Sequence, residues 1–191
     1  KDLQNIRKVL GFAVTFCFSI GMVFFIAATF FPEFVLRLFT DIPEAVEMGA
    51  GFLRRFAFCF LTVSITVPCT AALRSIQQTK IPLYISMVVF SINTALAFTL
   101  IFGKFGLPAM GIMGAATALL ISRTLELVLV IFVIFVRKNI LAGPVREFFA
   151  WRKNLVARVL ASALPVTVNE TMWSLGMATY NAFYGRMGIT E

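Results

Sequence analysis

Five long apolar stretches constrain this chain more than any other feature of its sequence. They cover residues 9–31, 55–73, 82–102, 111–136 and 158–184. Each is long enough to form a helix that crosses the hydrocarbon core of a bilayer, which needs about 20 helical residues. They also lack the polar outer face that a helix of a soluble protein requires. We therefore predict an all-α integral membrane protein with five transmembrane helices.

The composition agrees with a membrane protein and excludes several kinds of chemistry. Charged residues make up only 14% of the chain, whereas soluble domains average about a quarter. Histidine is absent and the two aspartates, Asp2 and Asp41, lie outside the apolar stretches, so proteases that use a histidine base or a membrane aspartyl pair lack their residues. A phosphate-binding loop is also missing from the sequence. We therefore predict a protein that is not an enzyme and has no metal or organic cofactor.

The basic residues are distributed unevenly over the connections between the apolar stretches. A net charge of +8 can indicate a nucleic acid partner, but here the cations alternate between connections. Eleven of them lie on one set of connections: Lys1, Arg7, Lys8, Arg74, Lys80, Arg137, Lys138, Arg146, Arg152, Lys153 and Arg158. The other set holds five: Arg37, Arg54, Arg55, Lys104 and Arg186. The positive-inside rule then puts residue 1 on the cytoplasmic side and residue 191 outside, with membrane lipid rather than nucleic acid as the partner of the cations.

The stretch from residue 102 to 126 combines a tight turn with a helix of small residues. Gly103 and Pro108 mark the turn. Small side chains then recur at helical spacing, which lets helices approach closely in a bilayer: Gly111, Gly114, Ala115, Ala118 and Ser122. Further along this helix, Arg123 and Glu126 are three residues apart. We expect a pair inside the bundle, which either is structural or assists a conformational switch.

Other polar residues and prolines lie within the apolar stretches. Asn93 is near the middle of one stretch and must either bond to another helix or line a watery path. Pro68 and Pro165 should kink their helices, either as packing adjustments or as hinges. Glu170 lies near the centre of the last stretch, beside Asn169. Because a low-dielectric site favours the neutral carboxyl, Glu170 can exchange a proton or bind sodium, which makes it the candidate ion-coupling residue with Asn169 in support.

The last apolar stretch also carries polar and aromatic side chains on adjoining helical faces. Trp173 and Tyr180 lie on the face of Asn169, and Asn181 lies on the face of Glu170. Together with Asn93, we expect them to line a substrate cavity, although tryptophan and tyrosine also serve as interfacial anchors.

A basic and aromatic segment, residues 143–154, separates the last stretch from the first four. Phe148, Phe149 and Trp151 are interspersed with cations there, which predicts a short helix on the cytoplasmic membrane surface. We take this segment as the boundary between residues 1–142 and 155–191. An odd number of spans and a first residue other than methionine suggest a piece of a longer protein.

Three classes of function fit a bundle of this kind. A secondary transporter predicts sparse ionisable groups within the spans, proline-containing helices and a polar cavity, all of which the sequence contains. A lipid- or glycan-processing enzyme would concentrate polar residues at one membrane interface. A purely structural bundle would not require Arg123, Glu126 or Glu170.

Several motifs resemble those of the multidrug and toxic compound extrusion (MATE) family. In the first four stretches they are Leu73-Arg74-Ser75, Gln78 to Pro82, Asn93, Ile101-Phe102-Gly103 with Phe105-Gly106, Met110 to Ala116, and Ser122-Arg123. In the last stretch they are Leu164-Pro165, Asn169-Glu170, Trp173 to Gly176, Tyr180, and Tyr184 to Gly188. Together they extend over nearly the whole chain.

The resemblance implies a twelve-helix transporter of two six-helix lobes in the cell membrane. Residues 1–142 would form the second half of the amino-terminal lobe, residues 143–154 the linker, and residues 155–191 the first helix of the other lobe, so the remaining lobe helices become partners. It also implies export of amphipathic, often cationic compounds in exchange for sodium or protons, with an acidic residue in the seventh helix, as Glu170 would be. A related flippase of lipid-linked oligosaccharides would share most of these features and remains the alternative.

Overall fold

The computed structural model describes residues 2–40, 42–104, 108–136, 141, 143–151 and 153–187. Helices dominate these ranges: α1 (Asp2–Phe30), α2 (Pro32–Arg37), α3 (Pro43–Ser75), α4 (Lys80–Phe102), α5 (Ile112–Phe135), α6 (Val145–Phe148) and α7 (Lys153–Met187). Some residues that entered the sequence predictions lie outside the described ranges: Lys1, Asp41, Phe105, Gly106, Arg137, Lys138, Arg152, Gly188 and Glu191.

Four of these helices are long and apolar enough to span a membrane. They are α1 from Gln4 onward, α3, α4 and α5, and they cover the first four predicted spans to within one residue at each end. The all-α membrane architecture predicted from the sequence is therefore confirmed. The fifth predicted span lies in α7, a continuous helix of 35 residues. Helix α7 is not among the four helices that are long and apolar enough to span a membrane. Its crossing of the membrane stays a prediction.

Helix α3 is the central element of the bundle. It packs against α1 on one side and α5 on the other, and α5 in turn packs against α4. One cluster of buried side chains joins these helices, near the first turns of α1 and α4 and the last turns of α3 and α5: Leu10, Cys69, Leu73, Ile85, Val89, Val130, Ile134 and Leu141. This cluster lies toward one end of the bundle, and smaller buried residues such as Ala50, Ala57 and Ala116 continue the core toward the other end.

The turn between α4 and α5 brings these two helices into close contact. Gly103 ends α4 in the left-handed conformation with φ of 66°, which suits a residue without a side chain. A Cβ atom on Gly114 would lie 2.6 Å from the carbonyl oxygen of Leu100, so the two backbones touch where Gly114 lies. Of the predicted small face, Gly114, Ala118 and Ser122 are buried. Gly111 is instead exposed at the start of the helix.

The two prolines within long helices do not interrupt them. Pro68 is buried inside α3, and Pro165 lies inside α7. Both helices continue on either side of the proline, and a hinge role for either residue stays a prediction.

Residues 143–151, which we call the connecting segment, contain only one short helix, α6. The sequence predicts a short helix on the membrane surface here, and the structure packs α6 against α1. Phe148 packs against the core cluster.

Candidate functional site

A hydrogen bond between two membrane helices sets the position of the polar residues in α4 and α5. The hydroxyl of Ser122 on α5 donates to the amide oxygen of Asn93 on α4 at 3.2 Å. Ser122 is 2% exposed, because the close packing at Gly114 and Ala118 holds this face of α5 against α4. Of the two alternatives for Asn93, the bond to another helix is present. An amide within an apolar helix needs such a partner, since hydrocarbon offers none.

One turn further along α5, the predicted ion pair is present. Arg123 Nη1 lies 2.8 Å from Glu126 Oε2. The two side chains differ in environment, because 46% of the Arg123 side chain is exposed but only 12% of that of Glu126. Arg123 is therefore the exposed member of the pair, and Glu126 is the largely buried one. Whether it assists conformational switching stays a prediction.

These polar groups line one cleft of about 240 Å³ between α4 and α5. Its walls are formed by Ser86, Val89, Phe90, Asn93, Leu119, Ser122, Arg123 and Glu126. We call it the α4–α5 cleft. It combines hydroxyl, amide, guanidinium and carboxylate groups with apolar walls, which is the mixture of groups that lines small-molecule sites.

Helix α7 carries the other predicted site residues, away from this cleft. Asn169, Glu170, Trp173, Tyr180 and Asn181 are all exposed. Among the described helices, α7 contacts α1 and neither α4 nor α5. The structure of this chain therefore brings Asn93, Arg123 and Glu126 together and leaves Glu170 apart from them. The ion-coupling role of Glu170 stays a prediction.

Two tyrosines on the aromatic face of α7 contact each other, as their spacing of four residues predicts. The hydroxyl of Tyr180 donates to that of Tyr184 at 3.0 Å, and the two ring centroids are 4.5 Å apart. Two tyrosines one turn apart, with their ring planes tilted by 50°, thus form a polar and aromatic surface. Its role in binding a substrate stays a prediction.

Sequence reasoning did not identify Ser86 or the hydroxyl of Ser122 as parts of a polar site. A signal was available, because Ser86 and Asn93 are seven residues apart on α4, and Ser122 and Glu126 are four apart on α5. Both spacings place polar groups on one helical face. What the spacing does not reveal is that the two faces point toward each other.

Four long apolar helices with a polar cleft between two of them define a multi-pass membrane protein. Comparison with known proteins makes the assignment specific: the family model MatE matches residues 1–99, which is more than half of the chain. The chain belongs to the MATE family, and the resemblance found in its motifs is confirmed.

The chain is also similar to curated bacterial proteins. It is 27% identical over 190 residues to the probable multidrug resistance protein YoeA of Bacillus subtilis, an alignment that covers 98% of this chain and 41% of the relative. It is 27% identical over 162 residues to the probable multidrug resistance protein NorM of Thermotoga maritima, covering 81% of this chain and 33% of the relative. The uncharacterized transporter YisQ of Bacillus subtilis is 27% identical over 177 residues, an alignment that covers 89% of this chain and 38% of the relative. The chain thus spans about two fifths or less of these relatives. No solved structure matches it.

Proposed function

We propose that this chain is part of a secondary active transporter that exports amphipathic, often cationic compounds across the cell membrane in exchange for sodium or protons. The observation that carries the proposal is the α4–α5 cleft, in which Asn93, Ser122, Arg123 and Glu126 meet between apolar helices. Ionisable groups are costly in a membrane span and are generally retained for a function. Membership of the MATE family and the printed names of the relatives support transport over enzymatic catalysis.

In this proposal the cleft and α7 both contribute to substrate binding, and α7 also carries the ion-coupling residue. The apolar walls and polar groups of the cleft, including Asn93, contact the exported compound, while Arg123 and Glu126 form a pair within the bundle. On α7, Glu170 binds the coupling ion with support from Asn169. Trp173, Tyr180 and Asn181 add aromatic and polar surface to the substrate cavity, because flat aromatic faces attract amphipathic cations.

The test is export by the full-length protein reconstituted in lipid vesicles. A fluorescent lipophilic cation serves as cargo, and an inward sodium gradient and an inward proton gradient are imposed separately. We expect one of the gradients to drive export and a gradient-free control to show none.

The substitution Glu170→Gln tests the coupling residue in the same assay. It keeps the shape of the side chain and removes its charge, so we expect export driven by the ion gradient to fall by at least about tenfold. Glu44→Gln is the matched control, since Glu44 is an exposed acid in the first turn of α3, outside the apolar stretches. Unchanged export by Glu170→Gln at every pH and sodium concentration would remove Glu170 from the mechanism.

A further inference from the structure

The connecting segment is held to the first turns of α1 by an ion pair. Arg7 Nη1 donates to Glu147 Oε2 at 2.8 Å. Only 19% of the Arg7 side chain and 27% of that of Glu147 are exposed. Because the two residues are 140 positions apart in sequence, this contact joins the beginning of the chain to the segment that follows α5.

A second contact joins the backbones of α1 and α6. A Cβ atom on Gly11 would lie only 1.9 Å from the carbonyl oxygen of Phe148. A larger residue at this position would displace α6, so the absence of a side chain is what allows the two backbones to touch. Gly143 packs against a side chain instead, since a Cβ atom there would lie 2.8 Å from Cδ of Arg7.

Aromatic packing supplies a third contact, one turn from the ion pair. The ring of Trp151 meets that of Phe12 edge to face, with centroids 5.6 Å apart. The indole nitrogen of Trp151 also donates to the carbonyl oxygen of Phe148. The end of the connecting segment is thus in contact with α1 as well.

The connecting segment forms one wall of an apolar cavity between the membrane helices. The cavity has a volume of about 230 Å³, and its walls come from α1, α3, α5 and the side chains of Phe148 and Phe149. No Cα atoms of the described residues of α1 and α5 lie within 8 Å of each other, and at this end of the bundle side chains of α3 and of the connecting segment lie between the two helices. Phe148 belongs to this bridge, because it packs against the buried cluster that contains Val130 and Ile134 of α5.

From these contacts we propose that the connecting segment is a clasp that closes this end of the helical bundle. It fastens α1 to the end of α5, and it moves with the first four membrane helices as one body. In the transporter proposed above, the connecting segment is therefore not a flexible linker. The point about which the two lobes move relative to each other lies after Trp151. Opening the clasp would expose more of the apolar cavity.

Hydrogen–deuterium exchange of the purified full-length protein in lipid nanodiscs tests the clasp directly. Arg7→Glu and Glu147→Arg each place like charges at the ion pair, so we expect amide exchange in residues 143–151 to accelerate by about tenfold in each variant. The double variant Arg7→Glu/Glu147→Arg restores opposite charges and should return exchange toward the original rate. Arg146→Glu is the matched control, since Arg146 is exposed on the same short helix and its reversal should leave exchange unchanged.

Gly11→Val tests the backbone contact without changing any charge. We expect it to accelerate exchange in the same residues, with little change in α4, which contains no part of the contact. A double variant that exchanges as fast as the single variants, or a Gly11→Val protein with an undisturbed segment, would overturn the clasp.

The transport assay gives a second result that rests on the proposed function. With the clasp opened by Glu147→Arg, export of the lipophilic cation should slow, and the double variant should recover it. If the unmodified protein exports nothing under any gradient, the proposed function fails while the exchange experiment still decides the clasp. Slow export by Glu147→Arg with unchanged exchange would assign Glu147 a role other than closing the clasp.

Discussion

The hydroxyl of Ser122 and the amide of Asn93 show how a single contact can organise a membrane cleft. Neither group can find a partner in hydrocarbon, so each favours the arrangement in which α4 and α5 face each other. Glu126 instead finds its partner within its own helix, because its largely buried carboxylate lies beside the guanidinium of Arg123, three residues earlier on α5. At this scale a few polar atoms determine which faces of two apolar helices meet.

We expect Ser122→Ala to destabilise the protein by about 1 kcal/mol, because the amide oxygen of Asn93 loses its donor within the bundle. Thermal unfolding of the full-length protein in detergent measures the change. Ser91→Ala is the control, since the hydroxyl of Ser91 is exposed and bonds to the Met87 carbonyl of its own helix. Equal unfolding temperatures for the two variants would show that the bond between α4 and α5 contributes nothing.

At the scale of the elements, close helix packing depends on where small residues lie. The sequence predicts a single small face on α5, and the structure buries Gly114, Ala118 and Ser122 at four-residue spacing. Ala116, which is fully buried, lies outside that predicted face. The prediction of a single face is therefore incomplete, because α5 packs against α3 as well as α4.

Substituting Gly114 by valine should separate α4 from α5. The new side chain would begin 2.6 Å from the Leu100 carbonyl oxygen and 2.7 Å from its carbon, and backbone atoms cannot move aside cheaply. We expect a loss of about 2–4 kcal/mol in stability, which corresponds to the upper range for overpacking.

Detergent-extracted yield and unfolding temperature of the full-length protein are the measurements for Gly114→Val. Ala95→Val, at an exposed position of α4, adds a similar volume without a close contact and should behave like the unmodified protein. A Gly114→Val protein as stable as Ala95→Val would contradict the close approach.

For the whole molecule, the placement of charge predicts the orientation in the membrane. The contact between Arg7 and Glu147 brings the start of α1 and the connecting segment to the same end of the bundle, as the alternation of basic residues requires. Lys104, after α4, lies at the other end. Which end is cytoplasmic rests on the positive-inside rule.

Labelling of single cysteines in intact cells tests this orientation. In a full-length protein whose native cysteines, including Cys17, Cys59 and Cys69, are replaced, we expect a membrane-impermeant maleimide to label Lys104→Cys from outside. Arg146→Cys should react only after the membrane is permeabilised. The reverse pattern would invert the topology.

The sequence by itself determined the helices and the membrane setting of the first four spans, because hydropathy and helix-breaking residues act within a few turns of chain. It also identified Asn93 and the Arg123–Glu126 pair as polar features, since an isolated polar group in an apolar stretch is visible without coordinates. Only the tertiary structure decided that Asn93 and Ser122 share a cleft, and that Arg7 and Gly11 meet the segment after α5. These contacts depend on the register and rotation of whole helices, which are decided by packing between residues far apart in sequence and leave no local pattern.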